Sequence, residues 1–127
     1  MCGGLPYSVE KAKGFFEMGR KGWKENKHFI FLLMTQNGDI AACIDIKSPY
    51  LKNAEIGYWA SRSHRGCMTN TSIALLKLAN VAGYTGLFGR AKKENTASAK
   101  LLLRTGFKYD MKESENCKTY NYYNVCF

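Results

Sequence analysis

A chain of 127 residues, 46% of them hydrophobic, has the size of one ordinary domain and enough apolar residues for a normal core, so a single domain over 1–127 is expected. Its 19 Lys and Arg against 10 Asp and Glu leave a formal charge of +9, so the partners to expect are anionic: nucleic acid, an acidic membrane surface or a phosphate-rich small molecule. Cys2, Cys43, Cys67, Cys117 and Cys126 have no C-x-x-C spacing and His28 and His64 stand far apart, which argues against a metal site; with no signal peptide and no membrane-length apolar run, reduced thiols in a soluble cytoplasmic protein are expected.

Residues 1–7 have no hydrophobic period and read as a tail or short irregular strand. Ser8 offers an N-cap, and Val9, Ala12, Phe15, Phe16, Gly19 and Trp23 then fall on one face of a helix ending near Asn26. The other face carries Lys11, Lys13, Arg20, Lys21, Lys24 and Lys27, a pattern that reads as a solvated surface and not as a nucleic-acid interface. Residues 28–36, HFIFLLMTQ, are apolar at consecutive positions, as in a strand covered on both sides. Asn37-Gly38 is a strong hairpin signal, and residues 39–46 read as the returning strand.

A loop over 47–53 leads to the stretch around which the chain is organised, EIGYWASRSHRGCMTNTSIALLKLA at 55–79. Ile56, Tyr58 and Ala60 alternate with Gly57 and Trp59 as in a strand, whereas Met68, Ser72, Leu75, Ala79 and Ala82 recur at helical spacing. Between strand and helix lie Arg62, His64, Arg65 and Gly66, so guanidinium groups and helix-start amides converge there as a candidate anion site. Beyond Gly83, residues 87–91 suit a buried strand and 96–105 a helix, with Gly106 placed to end it. Residues 107–111 read as a strand, 112–116 as a turn and 118–127 as a last, aromatic-rich strand. The element order predicts an α/β (α+β) fold, a mixed sheet with helices on its faces.

EIGYW followed by a basic Gly turn, then MT and a helix ending in ALLKLA, then ENTASAKLLLRTGF, resembles the GNAT superfamily of acetyl-CoA-dependent N-acetyltransferases, and most of all its RimJ/RimL-like (ribosomal-protein) branch. Asn95-x-x-Ser98 with Gly106-Phe107 follows the family's N-x-x-S…G-F helix, and the resemblance spans about residues 8–127. It implies the GNAT fold, a mixed and mostly antiparallel sheet with helices on both faces. Two departures are visible. The family's phosphate turn, Gln/Arg-x-x-Gly-x-Gly/Ala, is reduced here to SHRGCMT around Gly66, and the family's first strand and helix have only residues 1–7 to be made from. The strand at 28–36 is therefore expected at the sheet edge, covered by Met1 to Tyr7 or by a second copy in a homodimer.

The resemblance implies acetyl-CoA as cosubstrate and a primary amine as acceptor, either a protein N-terminus or a small amine. It implies that the strands at 55–61 and 87–91 splay, and that the amides of Gly57, Tyr58, Trp59, Ala60 and Ser61 hold the pantetheine arm and polarise the thioester. Arg62, Arg65, Gly66, Cys67, Met68 and Thr69 would meet the phosphates, with Lys92, Lys93, Lys100 and Arg104 adding positive charge and Asn95 and Ser98 on the arm. Glu55 stands where many relatives place the carboxylate that takes the amine proton, or else is a strand-end carboxylate paired with a lysine. Leu102 replaces the tyrosine that in many relatives protonates the leaving thiolate, so that proton is expected from Ser98, another tyrosine or water. A non-catalytic basic module on the same scaffold, binding coenzyme A, nucleic acid or a partner chain, is the alternative.

Overall fold

Helical periodicity at the start of the chain becomes α1 (Val9–Lys24), and it stops where the sequence supplies a residue tolerant of left-handed backbone. Asn26 has φ 61, and the amides of Lys27 and Asn26 donate to the carbonyls of Gly22 (2.9 Å) and Trp23 (3.2 Å), a Schellman cap. The computed structural model describes residues 9–61 and 66–127, with side chains from residue 17 onward. The expected cover of Met1 to Tyr7 over the sheet edge thus lies outside the described residues.

The remaining elements are β1 (Phe29–Met34), β2 (Ile40–Ile46), β3 (Ala54–Ala60), α2 (Met68–Val81), β4 (Gly86–Lys92), α3 (Thr96–Arg104), β5 (Lys108–Asp110), α4 (Met111–Glu115) and β6 (Tyr120–Cys126). They form one mixed sheet in the order β1-β2-β3-β4-β6-β5, parallel between β3 and β4 and antiparallel elsewhere. Ile44, Ile56, Leu87, Leu102 and Tyr123 belong to one buried cluster on the face covered by α2 and α3. On the other face, α1 lies along β1, where Gly19 leaves room for Ile30.

Two sequence expectations, the cover of β1 and the turn over 112–116, need correction. β1 is at the sheet edge, as expected, with β2 its only strand neighbour among the described residues, and its faces are covered only in part, which leaves it half-buried. Trp23 partly closes that edge, setting its indole against Phe29 and Phe31 and donating Nε1–H to the Ile30 carbonyl at 2.9 Å. The hairpin expected at Asn37-Gly38 forms, with Gly38 left-handed at φ 87 while Asn37 is not, and with a register shift between Leu33 and Met34. The ladder ends in a five-residue loop closed by Thr35 N–H to Asp39 O at 2.8 Å. The turn expected over 112–116 is α4, started by Asp110, whose carboxylate accepts from the Glu113 amide at 3.1 Å in capping-box spacing. Elsewhere the expected breaks hold: Gly83 and Gly106 follow α2 and α3 with φ 100 and 104. No helix among the described residues is long and apolar enough to cross a membrane.

Candidate active site

β3 and β4 pair only at Ala54 with Leu87 and at Glu55 with Phe88. Beyond that point β4 keeps all seven of its pairs with β6, from Gly86–Cys126 to Lys92–Tyr120, and turns away from β3. The separation opens a cleft of about 590 Å³, lined by residues of β2, β3 and β4, the start of α3, and Tyr120.

Strand alternation decides which β3 amides face this cleft. The Glu55 carbonyl accepts from Lys47 N–H at 2.8 Å and Ser61 N–H donates to Ala41 O at 2.9 Å, so the odd-numbered residues turn their backbone groups toward β2. Tyr58 and Ala60 have the opposite direction, toward the gap that β4 has left. Of the five amides expected at the cofactor arm, those of Tyr58 and Ala60 thus point into the cleft, and those of Gly57, Trp59 and Ser61 into the β2 ladder.

Side chains alternate in the same way. Glu55, Gly57 and Trp59 share the sheet face opposite α2 and α3, with Cys43, Asp45 and Lys47 beside them on β2 and Arg90 and Lys92 on β4. Glu55 Oε2 accepts from Arg90 Nε at 2.8 Å and lies 3.7 Å from Lys47 Nζ. That contact with Glu55 holds the Arg90 guanidinium charged, above its usual range, and the group stacks over the Tyr120 ring at 4.5 Å. Asp45 Oδ2 lies 2.7 Å from His28 Nε2, while its Oδ1 is buried with no hydrogen-bond partner among the described residues. Gly57 leaves the space for this carboxylate: a Cβ there would stand 2.6 Å from Asp45 Oδ1 and 2.9 Å from Lys47 Cε. Burial, reinforced by the Asp45 charge, pushes the Cys43 thiol up to about 11.

On the α3 side of the gap, the Tyr58 hydroxyl meets the Ser98 hydroxyl in a short hydrogen bond and donates to the Ser98 carbonyl at 3.3 Å. Burial raises the Tyr58 phenol above its ordinary range, with the Ser98 hydrogen bond opposing, so it is a neutral proton donor near neutral pH. Asn95 caps α3, its Oδ1 accepting from Ser98 N–H at 3.1 Å, which leaves Nδ2 to donate elsewhere. Gly66 and Cys67 form a single tight turn into α2, which has no side-chain cap and no acidic residue in its first turn. Met68 is buried there and Thr69 half-buried. Arg62, His64 and Arg65 lie outside the described residues, and Lys100 is exposed on α3 away from the cleft lining.

Sequence reasoning therefore picked out the β3 and α3 walls of the cleft and, of its polar floor, Glu55 and Lys92. It missed Asp45, Lys47 and Arg90, which come from two segments, 45–47 and β4. Their sequence signal is a charge recurring at every second position of an apolar segment, ACIDIK and FGRAK, which marks the polar face of a sheet.

Residues 1–108 match the family model described as Acetyltransferase (GNAT) domain. A search of curated proteins by sequence finds no match. Among solved structures, a Vibrio cholerae protein described as a ribosomal-protein-serine acetyltransferase superposes with TM-score 0.82 at 20% identity, over 95% of this chain and 76% of its own. The microcin C7 self-immunity acetyltransferase MccE, solved with acetyl-CoA and AMP, gives 0.80 at 20% identity, over 95% and 73%. RimL, the ribosomal L7/L12 α-N-protein acetyltransferase in complex with coenzyme A, gives 0.80 at 22% identity, over 95% and 74%. At these identities the likeness is one of fold.

Proposed function

This chain belongs to the acetyltransferase (GNAT) family, and we propose that it transfers an acetyl group from acetyl-CoA to a primary amine by direct attack in a ternary complex. The observation that carries this reading is the cleft at the β3–β4 divergence, where the amides of Tyr58 and Ala60 face a gap and α3 presents Asn95 and Ser98. Structural neighbours solved with acetyl-CoA or coenzyme A support it.

Acetyl-CoA would supply the thioester. An unpaired strand edge is a suitable host for its amide-containing arm, and Tyr58 and Ala60 N–H are donors already oriented there. Asn95 Nδ2 adds a donor from the start of α3. The first turn of α2, with Gly66, Cys67 and Thr69, receives phosphate with Arg62 and Arg65, since a helix start without acidic residues favours an anion. Glu55 takes the proton of the incoming ammonium through a water. Arg90 and Lys47 keep that carboxylate fixed while its second oxygen remains to accept. Ser98 passes a proton to the departing thiolate and takes the Tyr58 phenol proton in its place, so no alkoxide is left, and solvent reprotonates the phenolate afterwards.

Melting curves with acetyl-CoA, coenzyme A and single-stranded RNA, run beside an assay of thiol release with a primary-amine peptide, test this. Stabilisation by both coenzyme forms, none by RNA, and amine-dependent thiol release are expected. A protein stabilised by RNA alone and releasing no thiol is not an acetyltransferase.

A further inference from the structure

The floor of the cleft carries more positive charge than its own carboxylates neutralise, and this bears on the acceptor. Lys47, Arg90 and Lys92 line it together with Asp45 and Glu55. Glu55 is paired with Arg90 at 2.8 Å and Lys47 at 3.7 Å, and Asp45 is hydrogen-bonded to His28 at 2.7 Å, so three cations stand against two carboxylates. Lys92 has no ion-pair partner among the described residues. Arg90 and Lys92 are two residues apart on β4 and so lie on one face, with Cα atoms about 7 Å apart. The Arg90 guanidinium is held against the Tyr120 ring, and Glu55 and Tyr122 use only part of its five donors. A fixed guanidinium beside an uncompensated ammonium is the arrangement that selects a carboxylate or phosphate.

We infer that the acceptor is a primary amine bearing an anionic group, its ammonium directed to Glu55 and its anion held by Arg90 and Lys92. This rests on the acetyltransferase reading for the role of the ammonium, though the anion site itself does not. Arg90 and Lys92 stand on the face away from α2, whose first turn is where the cofactor phosphates are assigned. The two anions therefore have separate sites. Uncompensated charge at the cleft also steers an anionic acceptor inward, and that steering weakens as salt is added.

Calorimetric titration of the coenzyme A-saturated protein with Ser-Glu-Glu-amide, Ser-Gln-Gln-amide and Ser-Lys-Lys-amide tests this, with phosphoethanolamine against ethanolamine to separate a phosphate from a carboxylate source. The Glu peptide should bind about 10-fold tighter than the Gln peptide, with the Lys peptide weakest, and the difference should shrink in salt. Lys92→Glu should abolish or reverse the order and the milder Lys92→Gln should reduce the preference, with coenzyme A affinity falling far less than Glu-peptide affinity in both, because Lys92 is exposed and neither change disturbs the core. Equal affinity for the three peptides, no binding of any, or a loss of coenzyme A affinity matching the loss of peptide affinity overturns the inference. Acetyl transfer without charge preference overturns it and leaves the acetyltransferase standing. A charge preference in binding without acetyl transfer does the reverse.

Discussion

Glu55 and Arg90 are joined across β3 and β4 at the point where the two strands part, Arg90 Nε lying 2.8 Å from Glu55 Oε2 just past the last ladder pair, Glu55 with Phe88. The pair fixes a carboxylate at the mouth of the gap. It also ties the cleft floor to the wall that the cofactor arm would follow.

A fixed carboxylate that relays a proton through water contributes modestly to rate. Glu55→Gln should lower kcat near neutral pH by about 10²-fold and leave the coenzyme A Kd nearly unchanged, with part of the rate returning at high pH where the amine deprotonates unaided. Initial rates across a pH series, with calorimetry for the cofactor, check this. A variant as fast as the parent throughout would make Glu55 a structural ion-pair partner only.

In the proposed relay Tyr58 acts through Ser98, so removing either hydroxyl should break the same element. Tyr58→Phe and Ser98→Ala should each lower kcat about 10-fold with little change in acetyl-CoA KM, and the double variant should be no slower than the worse single one. Because burial raises the Tyr58 phenol, the parent should lose no rate from its ionisation until pH exceeds the ordinary tyrosine range. Multiplicative losses would show that the two groups work independently.

Asn95 caps α3, and the proposed function gives it a second role at the cofactor that one substitution can separate from the first. Asn95→Ala should cost about 1 kcal/mol of stability through the lost cap and weaken acetyl-CoA as well, whereas Asn95→Asp retains an acceptor for Ser98 N–H and loses only the donor. Denaturant titration should therefore find the Asp variant near parental stability, while calorimetry finds it impaired in cofactor binding.

Gly57 is required by its neighbours on β2. Gly57→Ala would drive a methyl group to within 2.6 Å of Asp45 Oδ1 and 2.9 Å of Lys47 Cε, so the Asp45–His28 pair or the β2–β3 ladder must shift. A loss of about 1–3 kcal/mol in urea denaturation is expected, the range for overpacking. Parental stability would show that the Asp45 side chain moves freely.

Cys43 predicts an alkaline limit. Its folded pKa of about 11 lies above the ordinary 9.0, so between these values the unfolded chain releases a proton that the folded chain keeps. Stability from this group is fully present below about pH 9 and is lost as pH rises toward 11. The urea midpoint should fall across that window in the parent and less steeply in Cys43→Ala.

Most of the architecture was legible in the sequence because the signals that carry it are local. The Asn37-Gly38 hairpin signal before residues 39–46, period-two alternation in residues 56–60, the helical spacing from Met68 to Ala79, and Gly106 after α3 each depend on a few neighbours along the chain. Asn95-x-x-Ser98 was legible too, since a helix cap and the residue it caps are three positions apart. The failures have the opposite character. α4 was read as a turn because five residues are too short for a period, and its signal was the single cap from Asp110 to Glu113. β1 was rightly placed at an edge, yet its faces were read as fully covered because its composition is that of a buried strand, whereas it is half-buried.

What the sequence by itself determined, then, is the succession of elements and the family to which β3, α2 and α3 belong. Hydrogen-bond direction along β3 waited on the register with β2, because the same residues in the opposite phase would aim Gly57, Trp59 and Ser61 into the cleft in place of Tyr58 and Ala60. The pairing of Glu55 with Arg90, 35 positions apart, and of Tyr58 with Ser98, 40 positions apart, arises from a parallel ladder that stops after two rungs and a helix laid over the gap. Contacts at that separation are settled by how strands are ordered and twisted in space, and neither property is written in a local window of residues.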